Sequence, residues 1–297
     1  MLRRWGMLNA LSNDIANIVA AAAASVVQVQ GRGRPASGVV YEADLVVTTA
    51  RAAGDDDHPH VRRADGKLLD ATLVGIDPTT RVALLSVPGL AGSAFTPASS
   101  PRVGHLAVAI ARSWSNRLTA TVGLVAVIGG PLPTGRRRSI EQVIRTSAPM
   151  HEGFAGGAFL STNGELLGVA TAASIRGLGV VIPTLIAWQA AAELFTRRGQ
   201  KRGYLGIAAQ PIRVPEKQRG IAGAEEALLI VGVKDGTPAA DAGLLVGDVL
   251  LSLEGHALAS PDDLFDLLIG DRVGQPASVR VLRGGVPADV RVTVGER

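Results

Sequence analysis

The groups able to drive nucleophilic chemistry are few and scattered. The chain has no cysteine, which rules out thiolate attack and disulfides. Ser37, Ser147, Ser161 and Ser174 offer hydroxyls, and His58, His60, His105, His151 and His256 are the only imidazoles. A nucleophile needs a base beside it and a third group to orient that base. The segment best built to aim backbone N–H groups at a developing negative charge is Gly153-Phe154-Ala155-Gly156-Gly157, because glycine lets the backbone turn its N–H groups inward. At its centre stands Ala155, which has no hydroxyl. His151 lies just upstream of the same loop.

Two charged stretches suggest other chemistry. Asp55-Asp56-Asp57-His58-Pro59-His60 gathers carboxylates and imidazoles. Neighbours in one irregular loop do not converge on an ion without ligands from elsewhere, so the stretch reads as a solvated loop and no metal is expected. Arg136-Arg137-Arg138 is a basic loop after Pro133-Thr134-Gly135. It lacks interleaved aromatics for base stacking, and nucleic acid is not an expected partner.

Two more stretches, Val46-Val47-Thr48-Thr49-Ala50-Arg51-Ala52-Ala53 and Asp77-Pro78-Thr79-Thr80-Arg81-Val82-Ala83-Leu84-Leu85, precede the glycine loop. In order and spacing, all three resemble blocks of the HtrA (Deg) family of chymotrypsin-type serine proteases, T-N-N-H-V-V, D-x-x-T-D-L-A-V-L and G-N-S-G-G. The resemblance implies that Arg51, Arg81 and Ala155 stand where the family carries His, Asp and Ser. Ala155 cannot form an acyl-enzyme. Arg51 stays protonated and has no acceptor atom, so it cannot take a proton. Arg81 has the wrong sign to orient an imidazolium. What such a site retains is the oxyanion hole and substrate binding, worth roughly 10³–10⁴ over water in the worked protease case. No grouping of the other serines, histidines and acids has the family's spacing. The two arginines read as surface charges. The alternative is an anion site built from Arg51, Arg81 and the N–H groups of Gly153 and Ala155.

The elements needed to hold such a site are short and numerous. Residues 38–41, 45–48, 71–76, 82–87, 106–111, 120–128, 142–146, 166–171 and 179–182 read as strands between Gly/Pro turns. The pattern suggests a mainly β fold, and the resemblance implies a chymotrypsin-like double β-barrel over 25–198, its first barrel ending near Val87, followed by an α+β domain. Pro183 to Arg198 reads as a helix with proline in its first turn, and 199–203 as a basic, glycine-flanked linker. Upstream, Leu8, Leu11, Ile15, Ile18 and Val19 recur at helical spacing, so residues 1–24 form an N-terminal helical segment running into a strand at 25–30.

Residues 204–297 resemble a PDZ domain of the HtrA type, most specifically in Asp235 to Leu244 and Gly247 to Gly255. Ser260-Pro261-Asp262-Asp263 opens a helix, with Ser as N-cap, Pro at N1 and acids in the first turn. By resemblance, Tyr204-Leu205-Gly206-Ile207 is the nest for a free C-terminal carboxylate. Leu205, Ile207, Leu264, Leu267 and Leu268 line the pocket for the last side chain, which predicts apolar C-termini in the ligand. These leucines also suit the domain core.

Composition sets the outer bounds. A chain of 297 residues holds two domains. The 47% of apolar residues suffices for packed cores, and the 36 Gly and 16 Pro fit an all-β pattern of turns. A net charge of +4 is only a mild attraction to anions. No run reaches the ~18 apolar residues of a membrane helix. The interrupted N-terminus reads as helix plus strand and points to a cytoplasmic chain. Export, usual in the family, is the alternative; cleavage after the alanine run would leave the first strand intact. The function expected is a non-catalytic HtrA-like adaptor, chaperone or regulator that binds polypeptide C-termini or unfolded segments, without cofactor. By resemblance its further partners are copies of itself or an active relative, a trimer being common in the family. An active endopeptidase using a different site, and an anion-sensing module, are the competing readings.

Overall fold

Runs of β-branched and small apolar residues set the architecture. The structure, a computed structural model, describes residues 2–31, 33–54, 58–98, 100–112, 114–135, 138–197, 203–268 and 272–296, without the side chains of 2–7, Asp262 and Asp266. Asp55 to Asp57, Arg136 and Arg137, and 199–202 of the expected linker lie outside the described residues, as does the side chain of Trp5. The chain divides into two compact units, Met1–Arg198 and Gly199–Arg297.

The first unit starts with α1 (Leu2–Ala21), then β1 (Val26–Gln30), β2 (Ala36–Glu42) and β3 (Leu45–Thr49). A single turn, α2 (Ala50–Ala53), leads to β4 (His60–Arg62), β5 (Leu68–Asp70), β6 (Thr72–Ile76) and β7 (Val82–Ser86). These seven strands form one antiparallel sheet in the order β5-β4-β1-β2-β3-β7-β6. No ladder between β5 and β6 joins its ends among the described residues, so the first expected barrel is an open, curled sheet. Its core is Val27, Val29, Val40, Val46, Ala83 and Leu85 with their neighbours.

The second half closes fully. The strands β8 (Leu106–Arg112), β9 (Leu118–Gly129), β12 (Val143–Thr146), β13 (Ala158–Ser161), β14 (Leu166–Ile175) and β15 (Leu178–Pro183) form a barrel in the order β12-β15-β14-β13-β8-β9. A side hairpin, β10 (Leu132–Gly135) and β11 (Arg138–Ile140), branches from it. The helix α3 (Thr184–Thr196) packs Ala187, Ala190 and Ala191 against residues of both sheets, Val47 and Leu84 on one side and Val169 and Ile182 on the other.

The N-terminal segment is not a separate body. Ile15, Ile18 and Val19 of α1 pack on Val26, Val108, Ile110 and Leu160, while Leu8 and Leu11 stay exposed. Arg112 fixes this junction. It is 5% exposed, and its guanidinium donates to the carbonyls of Val26, Asn116 and Ala23, each at 2.8 Å. Burial lowers its pKa, and three carbonyl acceptors hold the charge in place of a carboxylate.

The second unit contains β16 (Gly203–Tyr204), β17 (Ile207–Arg213), α4 (Glu216–Ala222), β18 (Glu226–Val233), α5 (Pro238–Asp241) and β19 (Val249–Leu253). It continues with β20 (His256–Ala257), α6 (Pro261–Leu268), β21 (Pro276–Arg283), β22 (Val286–Thr293) and β23 (Gly295–Glu296). Gly203, the expected end of the linker, already pairs with Glu296. The main sheet runs β17-β18-β19-β21-β22, with β20 beside β19. This leaves β17 as an edge strand, and α6 packs beside it. Among the described residues no helix is long and apolar enough to cross a membrane.

Candidate functional site

The three resembling blocks meet in the first unit. Strand β3 pairs with β7, putting Thr49 opposite Val82. The Thr49 side chain then caps α2, accepting the N–H of Ala52 at 3.3 Å. Arg51 follows on this turn. The carbonyl of Arg81 accepts the N–H of Ala50 at 2.8 Å, so Arg51 and Arg81 lie on touching backbone. Arg81 ends a tight turn that Asp77 organises, its carboxylate accepting the N–H and the hydroxyl of Thr80, both at 2.6 Å. The backbone of Arg81 is left-handed, at φ 59°, a conformation costly for any residue that carries a Cβ.

The glycine loop folds in against them. Ala155 is 1% exposed and packs on Ala36 and Ala52, with Ala172 at the edge of the cluster. Gly156 needs its φ of 80°, and a Cβ there would strike the Ser37 carbonyl and the Thr48 hydroxyl. Ala155, the residue expected at the nucleophile position, thus lies within a cluster of four alanines.

The N–H groups expected to face an anion are already bonded within the loop. Residues Glu152–Phe154 form a short 3₁₀ turn. The Gly153 N–H donates to Nδ1 of His151 at 3.0 Å, and the Ala155 N–H donates to the Glu152 carbonyl at 3.0 Å. Arg51 forms an ion pair with Glu152 across the same surface. An anion shared by Arg51, Arg81, Gly153 and Ala155 therefore lacks both backbone donors, and one of its cations already has a carboxylate. This arrangement removes the support for the anion site considered from the sequence.

Among the described residues, Ser37, Ser147, Ser161, His60, His105 and His256 are engaged elsewhere. Ser37 is fully buried, donating to the Gly153 carbonyl at 2.8 Å and accepting the Arg112 N–H at 2.8 Å. Ser147 accepts the N–H of Leu124, and Ser161 caps its own turn at Asn163 and Glu165. His60 pairs with Asp70, His105 with Arg102, and His256 lies against the Glu254 carbonyl. His151 stacks between exposed Trp114 and buried Phe154 at 5.9 and 4.9 Å. No cluster of His, Asp and Glu suited to a metal occurs among the described residues.

Glu152 is the residue that sequence reasoning missed, and His151 was placed beside the loop without a role. His151 caps the short turn at Glu152–Phe154, and histidine is not one of the usual capping types, so no local signal marked this role.

The second unit brings the expected peptide residues together. Leu205 and Gly206 turn their carbonyls inward, to the N–H groups of Ala239 at 2.8 Å and Lys234 at 2.9 Å. Among the described residues the N–H groups of Leu205 and Gly206 donate to nothing. Gly206 has φ 87°, and a Cβ would strike the Thr237 side chain. Leu205, Leu264 and Leu268 are buried core, whereas Ile207 and Leu267 are only partly buried against it. The expected pocket is thus mostly its own floor, with Ile207 and Leu267 at the accessible level. Opposite this face, Asp248 is buried beneath Arg283, which donates to both its oxygens at 2.8 and 2.6 Å.

Comparison with known proteins agrees with this geometry. The family model "Trypsin-like peptidase domain" matches residues 36–169, and the model "PDZ domain" matches 203–294. The putative serine protease HhoB of Synechocystis is 32% identical over 90% of this chain and 67% of its own length. The chain belongs to the HtrA family. A probable periplasmic serine endoprotease, DegP-like, of Pseudomonas fluorescens is 31% identical over 87% of the chain and 56% of its own length. The periplasmic pH-dependent serine endoprotease DegQ of Escherichia coli is 30% identical over 87% and 58%. The HtrA chain thus spans little more than half the length of these two relatives. Among solved structures, the HtrA-type protease AlgW with a decapeptide superposes with a TM-score of 0.54 at 26% identity, covering 95% of this chain and 98% of that one. The serine endoprotease from Yersinia pestis gives 0.53 at 27%, covering 95% and 97%.

The comparisons correct one expectation. A cytoplasmic location was read from the helical N-terminus, but the DegP-like and DegQ relatives are periplasmic proteins by name. A helix that packs on its own barrel carries no information about compartment.

Proposed function

We propose that this HtrA-family chain is non-catalytic and acts by binding polypeptide C-termini through its PDZ unit, as an adaptor, chaperone or regulator in the compartment of its periplasmic relatives. The observation that carries the first half is Ala155. It stands at the family's serine position without a hydroxyl, is 1% exposed, and has its N–H bonded to Glu152. Arg51 and Arg81, at the His and Asp positions, supply neither base nor orienting carboxylate. The natural chain is expected to show no labelling by a serine-directed fluorophosphonate and no cleavage of casein. Labelling that follows the protein through purification would overturn this half.

The binding half rests on the free edge of β17, the inward carbonyls and free N–H groups of Leu205 and Gly206, and the partly exposed Ile207 and Leu267 beside them. Strand addition to such an edge, with the terminal carboxylate in a backbone nest, is the PDZ mode of recognition. The test is fluorescence anisotropy of a dye-labelled octapeptide ending in valine. The free acid should bind and the C-terminal amide should not. Equal binding of acid and amide would remove the nest from the account.

A further inference from the structure

Strand β17 contains a proline at a position that matters for any ligand added to its edge. Two bonds fix the direction in which each residue of β17 turns its backbone groups. At one end the Val214 N–H donates to the Glu225 carbonyl at 2.8 Å, and at the other the Lys234 N–H donates to the Gly206 carbonyl at 2.9 Å. In an antiparallel pair, alternate residues face the partner strand and the ones between face away. Counting from Val214, Ile212 and Gln210 face β18, and counting from Gly206, Ala208 does. The register shift at Ala208/Ala209 leaves Val231 of β18 unpaired and so preserves this alternation on β17. Ile230 agrees, since it spends both its N–H and its carbonyl on the β19 side, through Asp248 and Gly247. The residues that turn to the open edge are therefore Ile207, Ala209, Pro211 and Arg213.

Pro211 has no N–H to offer there. Proline is tolerated in a sheet at just such an outward position of an edge strand. A ligand with its carboxylate at Leu205 and Gly206 runs antiparallel to β17. Its last residue lies beside Ile207, its third from last exchanges bonds with Ala209, and its fifth from last meets Pro211. The ladder loses its next donor at that point.

We infer that Pro211 sets the length of peptide this PDZ unit reads: it restricts backbone recognition to about the last four residues of a C-terminus. The inference rests on the peptide-binding reading above and specifies its ligand as a short terminal motif, not a long β-strand. Upstream residues are then free to differ in sequence and to remain in another folded or unfolded protein.

The test uses the full chain, the valine-terminated octapeptide and its own C-terminal tetrapeptide, both as free acids, compared by competition against the labelled octapeptide. The natural protein should bind the two within about twofold. Pro211→Ala, and Pro211→Val as a variant of higher strand propensity, restore one N–H at the edge. A net hydrogen bond of ordinary strength corresponds to roughly a three- to tenfold gain, and this gain should appear for the octapeptide alone. An octapeptide preference of threefold or more in the natural protein, or variants that leave the ratio unchanged, would overturn the role of Pro211. Binding that ignores the carboxylate would instead overturn the peptide-binding reading beneath it, and the acid–amide comparison separates the two failures.

Discussion

The ring Nδ1 of His151 accepts the N–H of Gly153 at 3.0 Å. That N–H is one of the two donors an HtrA-type oxyanion hole would need, and the other, from Ala155, is bonded to Glu152. Replacing Arg51, Arg81 and Ala155 alone does not undo either bond. Loss of a single hole donor costs about 10²–10³ in rate. Arg51→His/Arg81→Asp/Ala155→Ser is therefore expected to stay almost inactive on casein. Adding His151→Ala, which frees the Gly153 N–H, should raise its rate about tenfold or more. A triple variant that already cleaves as fast as the quadruple one would show that the loop opens without help.

Left-handed backbone at two non-glycine residues makes a second prediction. Arg81 and Ala172 have φ of 59° and 58°. The conformation costs roughly 1–2 kcal/mol for an L-residue, which glycine avoids at an entropic cost of roughly 0.5–1 kcal/mol. Ala172→Gly and Arg81→Asn should therefore each stabilise the first unit slightly, by about 0.5–1 kcal/mol. Thermal unfolding followed by Trp188 and Trp114 fluorescence reads this; a lowered Tm in both variants would contradict it.

How much of this could be read in the sequence depends on the range of the interaction. Val46 to Thr48 and Val82 to Leu85 announced buried strands because every residue in them is apolar or β-branched, and helix α1 was legible in the spacing of Leu11, Ile15 and Ile18. The three positions expected to match the family's triad could be proposed at all because they sit in local blocks. That the Gly153 and Ala155 N–H groups are spent within the loop was not, since a short 3₁₀ turn capped by a histidine carries no usual capping mark. Arg112 shows the same limit. The expected strand stopped at residue 111, because a charge reads as an exit from the core. The carbonyls of Ala23, Val26 and Asn116 that receive it lie far away in sequence or in a turn.

Arg112 is accordingly a sensitive position. Lysine offers a point charge where three carbonyls are arranged around a planar fork. Arg112→Lys should cost about 3 kcal/mol, as expected for losing more than one charge-assisted bond. The loss should appear first as proteolysis between α1 and β1, because Ala23 and Val26 lose their tie. Unchanged protease resistance at residues 21–26 would mean that Ile15, Ile18 and Val19 hold the helix alone.

In the PDZ unit, stability should fall at acid pH through Asp248. Burial pushes its carboxyl pKa up, but hydrogen bonds from Arg283 and the Leu245 N–H, together with the arginine's charge, outweigh this and leave it lowered. A carboxyl whose folded pKa lies below its unfolded value contributes stability in full above the unfolded value, about 3.9, and loses it as pH falls through the folded one. Arg283→Ala leaves a buried carboxylate without its counter-charge, held only by the Leu245 N–H. It should cost about 3 kcal/mol, the low end for a broken buried pair, because the Arg283 side chain is 41% exposed. Hydrogen exchange of β18 and β19 in the full chain, at pH 7 and near pH 3, checks both points: the variant should lose protection at pH 7 and differ less from the natural chain in acid.

Gly206 offers the sharpest mutational test of the peptide nest, because two separate obstacles meet there. Its φ of 87° is outside the range of an L-residue, and a Cβ would strike the Thr237 side chain. Gly206→Ala should reduce affinity for the valine-terminated octapeptide by at least about tenfold, the equivalent of one charge-assisted hydrogen bond to the carboxylate. The contact can be relieved separately with Gly206→Ala/Thr237→Ala. If packing alone mattered, the double variant would recover binding. If the left-handed turn is what aims the Leu205 and Gly206 N–H groups, binding stays lost while melting recovers in part. The second outcome is expected, since Thr237 is not a donor in this nest: its hydroxyl is committed to the Lys234 carbonyl at 2.6 Å.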